Sequence, residues 1–374
     1  MAVDAVDFGA SGRTDTYSLE LVDPRTLNVV STGLVDPAHT SLTWKWDTEN
    51  VQSANVTLAE GTDYRVGGMD CLVRIKQRVR IPSEGYDRSF DLATMWVQNV
   101  STSSLNGRVT RDLPCYSPLW RYTQDILHQD FYRSVGDNVV EDIRLLAEGV
   151  GGHLVVGDGV DTTRRHTIDV WLNINKNRGE AMRLVASWIG CVVLPGTDGS
   201  TRLEANRLPS ERPVAYEFVE GPACTFVPGI EWDTNRDEPY NRVVVSYSRK
   251  SKQDGDPYPL TDTAIVDLDD GAEFSFVRCG RYRTQSLELT DPCSHDDLVA
   301  QGRAYLASGP AASLDITFEG VGIPGLEVGD VVRYRNETDH GRPVDYRAQV
   351  TEISTRRLVP RMACTYKLRV IGGY

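Results

Sequence analysis

Apolar and polar residues alternate with a period of two through the first hundred residues of the chain. Leu42, Trp44 and Trp46 are separated by polar neighbours; Val56 and Leu58 follow, then Cys71-Leu-Val-Arg-Ile75, then Met95, Val97 and Val100. That period puts every second side chain on one face of an extended strand. Turn signals divide the runs at Asp23-Pro24, Glu60-Gly61, Gly67-Gly68 and Asn106-Gly107. Asn-Gly favours a tight hairpin because both residues tolerate positive φ. The pattern predicts about six or seven short strands forming a small barrel or sandwich.

The period changes after Arg111-Asp-Leu-Pro114. Val139, Ile143, Leu146 and Val150 recur at helical spacing, predicting a helix over 137–150 with Asp137 or Asn138 as its N-cap and Gly151-Gly152 as its stop. A second helix is predicted over 178–189, burying Met182, Val185, Trp188 and Ile189 and ending at Gly190. It leads into a hairpin from Cys191-Val-Val-Leu194 to Arg202-Leu-Glu204, turned through Pro195-Gly-Thr-Asp-Gly-Ser200. A third helix starts at Ser294, whose hydroxyl can cap while Asp296 and Asp297 sit at the positive end of the dipole. Its inner face is Leu298, Gly302, Tyr305 and Leu306, and Gly309-Pro310 stops it.

Three late segments, Tyr240-Asn-Arg-Val-Val-Val-Ser-Tyr247, Leu314-Asp-Ile-Thr-Phe318 and Pro324-Gly-Leu-Glu-Val-Gly-Asp-Val-Val-Arg-Tyr334, read as strands of one antiparallel barrel. Gly329-Asp330 must turn the chain tightly into Val331, Val332 and Tyr334, and Gly supplies the positive φ that such turns need. The fold class expected is therefore mainly β with an α+β insert.

A chain of 374 residues with 40% hydrophobic and 25% charged residues has enough apolar material for two to four packed units. The formal charge of −13 is spread along the chain, so the net field repels phosphate and sequence-specific nucleic-acid binding is not expected. Arg74-Ile-Lys-Gln-Arg-Val-Arg80 and Arg164-Arg165 read as solvated strand edges. The seven cysteines (Cys71, Cys115, Cys191, Cys224, Cys279, Cys293 and Cys364) contain no CxxC pair, which argues for buried or free thiols made in a reducing cytoplasm. Residues 1–8 lack a basic start and an apolar core for export, and no apolar run approaches the ~20 residues of a membrane span.

Candidate chemistry is sparse. Gly149-Val-Gly-Gly-His-Leu-Val-Val-Gly-Asp-Gly159 follows a helix, whereas a phosphate cradle precedes one, so it reads as a C-cap and hairpin. Asp267-Leu-Asp-Asp-Gly271 lacks the later oxygens of a calcium loop and reads as a solvated turn. Ser294-His-Asp-Asp297 reads as a helix cap, and the six histidines (His39, His128, His153, His166, His295 and His340) are never paired at metal-ligand spacing. GxSxG, HExxH and Walker motifs are absent; a glycosidase carboxylate pair among 53 acids is not readable from sequence. Trp44, Trp46, Trp96, Trp120, Trp171, Trp188 and Trp232 sit in alternating or helical apolar patterns and are expected in the core. No catalytic, cofactor-binding or metal residue is assigned.

The order of YNRVVV strand, helix, extended strand, PGLxxGD strand and closing hairpin resembles the central hub at the distal end of a bacteriophage tail. That family includes trimeric baseplate hubs of contractile phages and tail-associated proteins of siphophages. The stretches that carry the resemblance are Asn241–Val245 and Pro324–Asp330. It implies two tube-like antiparallel β-barrels per subunit: residues 1–112 form the first, and 206–251 with 308–374 the second. Residues 113–205 and 252–307 are then a helix-containing insert. It further implies a baseplate-hub-like minor tail protein of a siphophage, a homotrimer whose barrels make a pseudo-sixfold ring. The partners implied are the distal tail protein ring above, the C-terminus of the tape measure protein in the channel, and other tail-tip or receptor-binding proteins. The location implied is the virion tail tip, after synthesis in the bacterial host cytoplasm.

Larger members carry a peptidase or murein-cleaving domain beyond the second barrel. Here Tyr374 follows the final strand directly, so a structural role without catalysis or cofactor is expected. The rival readings are a carbohydrate- or receptor-binding β-protein and a cell-wall hydrolase.

Overall fold

The computed structural model describes residues 6–373 except 47–50, 61, 63–64, 67–68, 106–107, 168, 173–175, 208, 222–223, 228–230, 236–239, 249–257, 272–274, 290–293, 309–312, 337–342 and 360–361. The first strand set is β1 (Thr14–Val22), β2 (Val29–Gly33), β3 (Ser41–Lys45), β4 (Gln52–Leu58), the short pair β5 (Arg65–Val66) and β6 (Met69–Asp70), β7 (Leu72–Ile81), β8 (Tyr86–Val97), β9 (Ser101–Leu105) and β10 (Arg108–Tyr116). The period-two reading holds here: along β7, Val73, Ile75, Gln77, Val79 and Ile81 are buried while charged residues take the opposite face. Glu60-Gly61, Gly67-Gly68 and Asn106-Gly107 fall wholly or partly outside the described residues, although β9 and β10 pair antiparallel from Leu105↔Arg108 onward.

The middle segment holds α1 (Trp120–Gln124), β11 (Phe131–Arg133), α2 (Val139–Glu148), β12 (Leu154–Val156), β13 (Val170–Leu172), α3 (Arg178–Trp188), β14 (Cys191–Pro195) and β15 (Thr201–Ala205). Both predicted helices form, and both are capped as their sequences require. Asn138 accepts hydrogen bonds from the backbone N–H groups of Val140 and Glu141, and Asn177 from that of Glu180. Ile143, Leu146, Met182 and Val185 are fully buried in a core that this segment makes for itself.

The second strand set comprises β16 (Val214–Val219) and β17 (Glu231–Asn235), joined after an excursion by β21 (Ser313–Val321), β22 (Val331–Asn336), β23 (Val344–Thr355) and β24 (Ala363–Gly373). The excursion is β18 (Arg242–Ser248), β19 (Thr261–Asp267), α4 (Phe276–Cys279), β20 (Thr284–Leu289) and α5 (His295–Ser308). Here the structure corrects the sequence reading. Arg242–Ser248 does not join the strands at 313–336; it is the centre of a separate three-stranded sheet, antiparallel to β19 and parallel to β20. Its buried residues Val243, Val245 and Tyr247 pack with Leu298 of α5, so its apolar face is covered by its own neighbours. A Cβ on Gly302 would lie 2.6 Å from Val266 Cγ2, so α5 packs against that sheet through a residue without a side chain. The predicted stop at Gly309-Pro310 lies outside the described residues.

The two strand sets are not independent. A 14-stranded sheet runs in the order β17-β21-β24-β23-β3-β4-β10-β8-β7-β1-β2, with β9, β16 and β22 attached to its sides. β23 crosses from one set to the other by pairing with β3, Glu352↔Lys45 through Thr355↔Leu42. One contiguous core underlies both, from Leu19, Ile75 and Met95 on one side to Phe218, Phe318 and Tyr366 on the other. The chain is mainly β, as expected, and one pair within the second set, β16 with β22, is parallel.

Candidate functional site at the junction of the two strand sets

The seam between the strand sets carries a row of side chains that face one way. Gln52 is paired with Trp44, Trp44 with Ile353, and Ile353 with Tyr366, on four adjacent antiparallel strands. Directly opposed residues share a face, so these four lie side by side. All four line a cavity of about 420 Å³, whose other walls come from Lys76 of β7 and Ser89–Leu92 of β8, the loop at Ile323–Val328 and the β14–β15 hairpin. Three parts of the chain therefore meet there.

Each part is fixed to the others by polar contacts. Trp46 donates its backbone N–H to the Thr351 carbonyl (2.8 Å), extending the β3–β23 pairing. Gly329 has φ +91°, as its turn position predicts, and its carbonyl accepts from Arg212 Nη1 at 2.8 Å. The Arg212 guanidinium lies over the Trp46 ring, 5.3 Å from its centroid. On the hairpin side, Arg74 Nη2 donates to the Asp198 carbonyl (3.0 Å) and Thr94 Oγ1 to the Thr197 carbonyl (2.6 Å). Arg202 pairs with Glu327 at 2.6 Å across the cavity wall. Tyr366 is fully buried; its hydroxyl donates to the Val321 carbonyl and accepts from the Ile323 N–H, and burial pushes its pKa well up. Burial also raises Asp330, whose carboxylate accepts from the Glu327 N–H at 2.9 Å.

Of the stretches singled out in the sequence, Pro324–Asp330, Trp44, Trp46 and the Pro195–Ser200 turn meet at this junction, whereas those weighed for chemistry do not. Gly149 ends α2, but the strand that follows pairs parallel with β15, so the Gly149–Gly159 stretch is not a hairpin. Its partner was decided by the distant hairpin rather than by the nearer turn. Asp267 is held by Arg242 through two bonds (2.6 and 2.7 Å), and the Asp270 carbonyl accepts from Ser275 Oγ. Ser294 caps α5 by accepting from the Asp297 N–H. His39 contacts Asp36, His153 the Arg25 carbonyl, His166 Asp142, and His295 Asp262, while His340 lies outside the described residues. Among the described residues no group of three His, Cys, Asp or Glu could hold a metal.

Two expectations are revised. The 74–80 cluster is not an edge: β7 lies between β1 and β8, and Arg74 is buried against Glu20 and Thr94 while Lys76 reaches Glu20 and Asp91. Arg164 and Arg165 are exposed, as read from the sequence, and Arg165 donates to the Gly136 carbonyl at 2.7 Å. No tryptophan with a described side chain is fully buried: Trp44 and Trp188 are partly buried against the cores, and Trp171 is 63% exposed, edge-on to the exposed Tyr132, because its two-stranded sheet has only one covered face. The Trp232 side chain and Cys293 lie outside what is described; Cys71, Cys115, Cys191 and Cys364 are buried as expected, and Cys279 is exposed. The cavity itself was missed, because its walls are drawn from residues far apart in sequence.

Comparison with known proteins gives a uniform result at the level of fold. A tail protein from Neisseria meningitidis superposes with a TM-score of 0.63 at 11% identity, over 94% of this chain and 96% of that one. The chain has a phage tail-protein fold. The 43 kDa tail protein of prophage MuSo2 from Shewanella oneidensis is similar over 95% of this chain and 98% of its own, with a TM-score of 0.61 and 10% identity. An Escherichia coli component of the type VI secretion system, described as structurally similar to the T4 bacteriophage tail proteins gp27 and gp5, gives 0.51 at 10% identity over 95% of this chain and 78% of that one. No protein-family profile matches the chain, and no curated protein does. At these identities the likeness to tail proteins is one of architecture, and it agrees with the resemblance carried by Asn241–Val245 and Pro324–Asp330.

Proposed function

We propose that this chain is a structural hub protein of a phage tail tip, without catalytic activity. The observation that carries the reading is the end-to-end correspondence with the Neisseria tail protein, 94% of one chain on 96% of the other, which leaves neither with a large unmatched domain. In this reading residues 1–112 supply one tube-like module and the strands within 214–235 and 313–373 the other, while 113–205 and the separate sheet and helix of 242–308 are inserts. Three subunits make a pseudo-sixfold ring that docks on the hexameric distal tail protein and presents threefold symmetry below. The channel accommodates the tape measure C-terminus and then DNA. Threefold assembly triples the formal charge of −13, so DNA passes a wall that repels phosphate instead of binding it.

The test is co-assembly. Mixed with its cognate distal tail ring, the chain is expected to add three copies per ring by mass photometry; addition of six copies, or of none, contradicts the hub. The exposed Trp171–Tyr132 pair favours one second reading, glycan binding at the tail, which predicts glycan-array signals lost in Trp171→Ala.

A further inference from the structure

Among the described residues, Leu27 is the one residue other than glycine with a positive φ, +58°. It lies in the turn from β1 to β2, where its N–H donates to the Asp23 carbonyl at 2.8 Å and the Asp23 N–H donates to the Asn28 carbonyl at 2.9 Å. A left-handed backbone crowds the Cβ of an L-residue against its own carbonyl, so Gly, Asn or Asp is favoured at such a position. A strained residue persists where the structure around it holds it. The turn itself requires the backbone shape and has no need of a leucine side chain.

That side chain has its contact outside the turn. Arg25, Thr26 and Asn28 are exposed, while Leu27 is half-buried against the tip of the β14–β15 hairpin. A Cβ on Gly199, at that tip, would lie 3.4 Å from Leu27 Cδ2 and 2.8 Å from Thr94 Cγ2, so the glycine backbone itself fills the seat between them. Polar contacts close the seat on both sides. Thr94 Oγ1 donates to the Thr197 carbonyl at 2.6 Å and Arg74 Nη2 to the Asp198 carbonyl at 3.0 Å. His153, whose own carbonyl accepts from the Thr201 N–H at 2.7 Å, donates from Nε2 to the Arg25 carbonyl. The hairpin belongs to a segment with its own core, whereas the turn belongs to the 14-stranded sheet. In that sheet β2 is the last strand, pairs with β1 alone among the described strands, and carries the exposed Val29 and Val30. Its pairing begins at Val22↔Val29, two residues beyond Leu27, so the shape of the turn decides how β2 lies along β1.

We propose that Leu27 is a sprung clasp that couples the seating of the β14–β15 hairpin tip to the position of the edge strand β2. With the tip seated, the packing of Leu27 offsets the strain in its backbone. With the tip withdrawn, Leu27 relaxes to a negative φ, the two turn hydrogen bonds open and β2 loosens from β1. An edge strand is the part of a sheet on which further strands pair, so the clasp makes that edge responsive to the segment that carries the hairpin. The coupling is independent of the tail reading, because its test uses the isolated chain.

The test is native-state hydrogen exchange of the full chain, read in peptides that cover the turn and β2. Two variants unseat the tip by different means: Gly199→Ala adds a methyl group that meets Thr94, and Thr94→Val removes the hydroxyl bonded to the Thr197 carbonyl. At least one of them is expected to speed exchange in the turn and β2 by about tenfold while exchange in β24 stays as in the wild type. Leu27→Gly takes a positive φ without strain and has no side chain to lose contact. In that background the same substitutions are expected to change turn exchange by less than about twofold. Unchanged turn exchange in both unseating variants, an equal acceleration in the Leu27→Gly background, or an acceleration shared by β24 overturns the proposal. Thermal unfolding establishes that each variant is folded before the rates are compared.

Discussion

The ring of Trp46 occupies the space where a side chain on Gly329 would begin: a Cβ there would lie 2.4 Å from Cζ3 and 2.6 Å from Cε3 of the indole. Gly329 also has φ +91°, so two independent constraints exclude any other residue at that position. Gly329→Ala is expected to lower the unfolding free energy by about 2 kcal/mol or more, combining backbone strain with overpacking. In a double-mutant cycle by denaturant unfolding, adding Trp46→Ala to Gly329→Ala should recover the steric part and leave the strain. Strict additivity of the two substitutions would show that the ring and the turn are uncoupled.

The shared core predicts cooperative unfolding of the two strand sets. Phe318 is 2% exposed and packs against Phe218, Phe226, Tyr334 and Tyr366, with ring centroids 5.0 to 5.5 Å apart. Phe318→Ala should cost about 3–5 kcal/mol. By hydrogen exchange, the loss should appear in β1 and β7 of the first set as well as in β21 and β24, because the core and the β3–β23 pairing are continuous. Protection lost in the second set alone would mean that the seam is not energetically continuous.

Two aspartates should act in opposite senses on the pH dependence of stability. The hydrogen bonds and charge of Arg333 lower the pKa of Asp345, so its contribution is present above the ordinary Asp value of about 3.9 and is lost as pH falls through its lower folded value. Burial raises Asp330, so the folded state holds its proton more tightly than the unfolded chain, and stability falls as pH rises from about 3.9 through the folded value. Unfolding followed from pH 2 to 7 should show a shallower acid limb in Asp345→Asn. Asp330→Asn should gain stability over wild type at pH 7 relative to pH 3. A pH-independent offset in either variant contradicts the corresponding assignment.

Thiol accessibility is a simple check on the core. Burial raises the Cys115 thiol pKa strongly and pushes that of Cys364 up to about 12, whereas Cys279 is exposed. Iodoacetamide at pH 8, followed by peptide mass mapping, should modify Cys279 in the native protein and leave Cys115 and Cys364 unmodified until denaturant is added. Native labelling of Cys364 would place the β24 core contacts in doubt.

These relationships differ in how far the sequence reveals them. The cap of α2 at Asn138, one of the two residues offered, and the positive φ of Gly329 were legible because each depends on residues a few positions away. The sheet that contains Arg242–Ser248 was not. Alternation of Val243, Val245 and Tyr247 marks a buried face but does not name the partner, and the covering helix α5 decides it. The same limit hid the junction. Trp44 and Trp46 read as ordinary strand residues, and nothing near them signals that Ile353 and Gly329 complete the structure around them. Gln52, a polar residue, is likewise buried in the seam row, opposite Trp44.

The most direct test of the central claim is a cryo-EM reconstruction of the intact particle from which this chain comes. The account predicts three copies in one ring at the distal end of the tail, on its axis, with both strand sets of every copy contributing to the channel wall. Six copies per ring, a peripheral position away from the axis, or absence from the tail would contradict it.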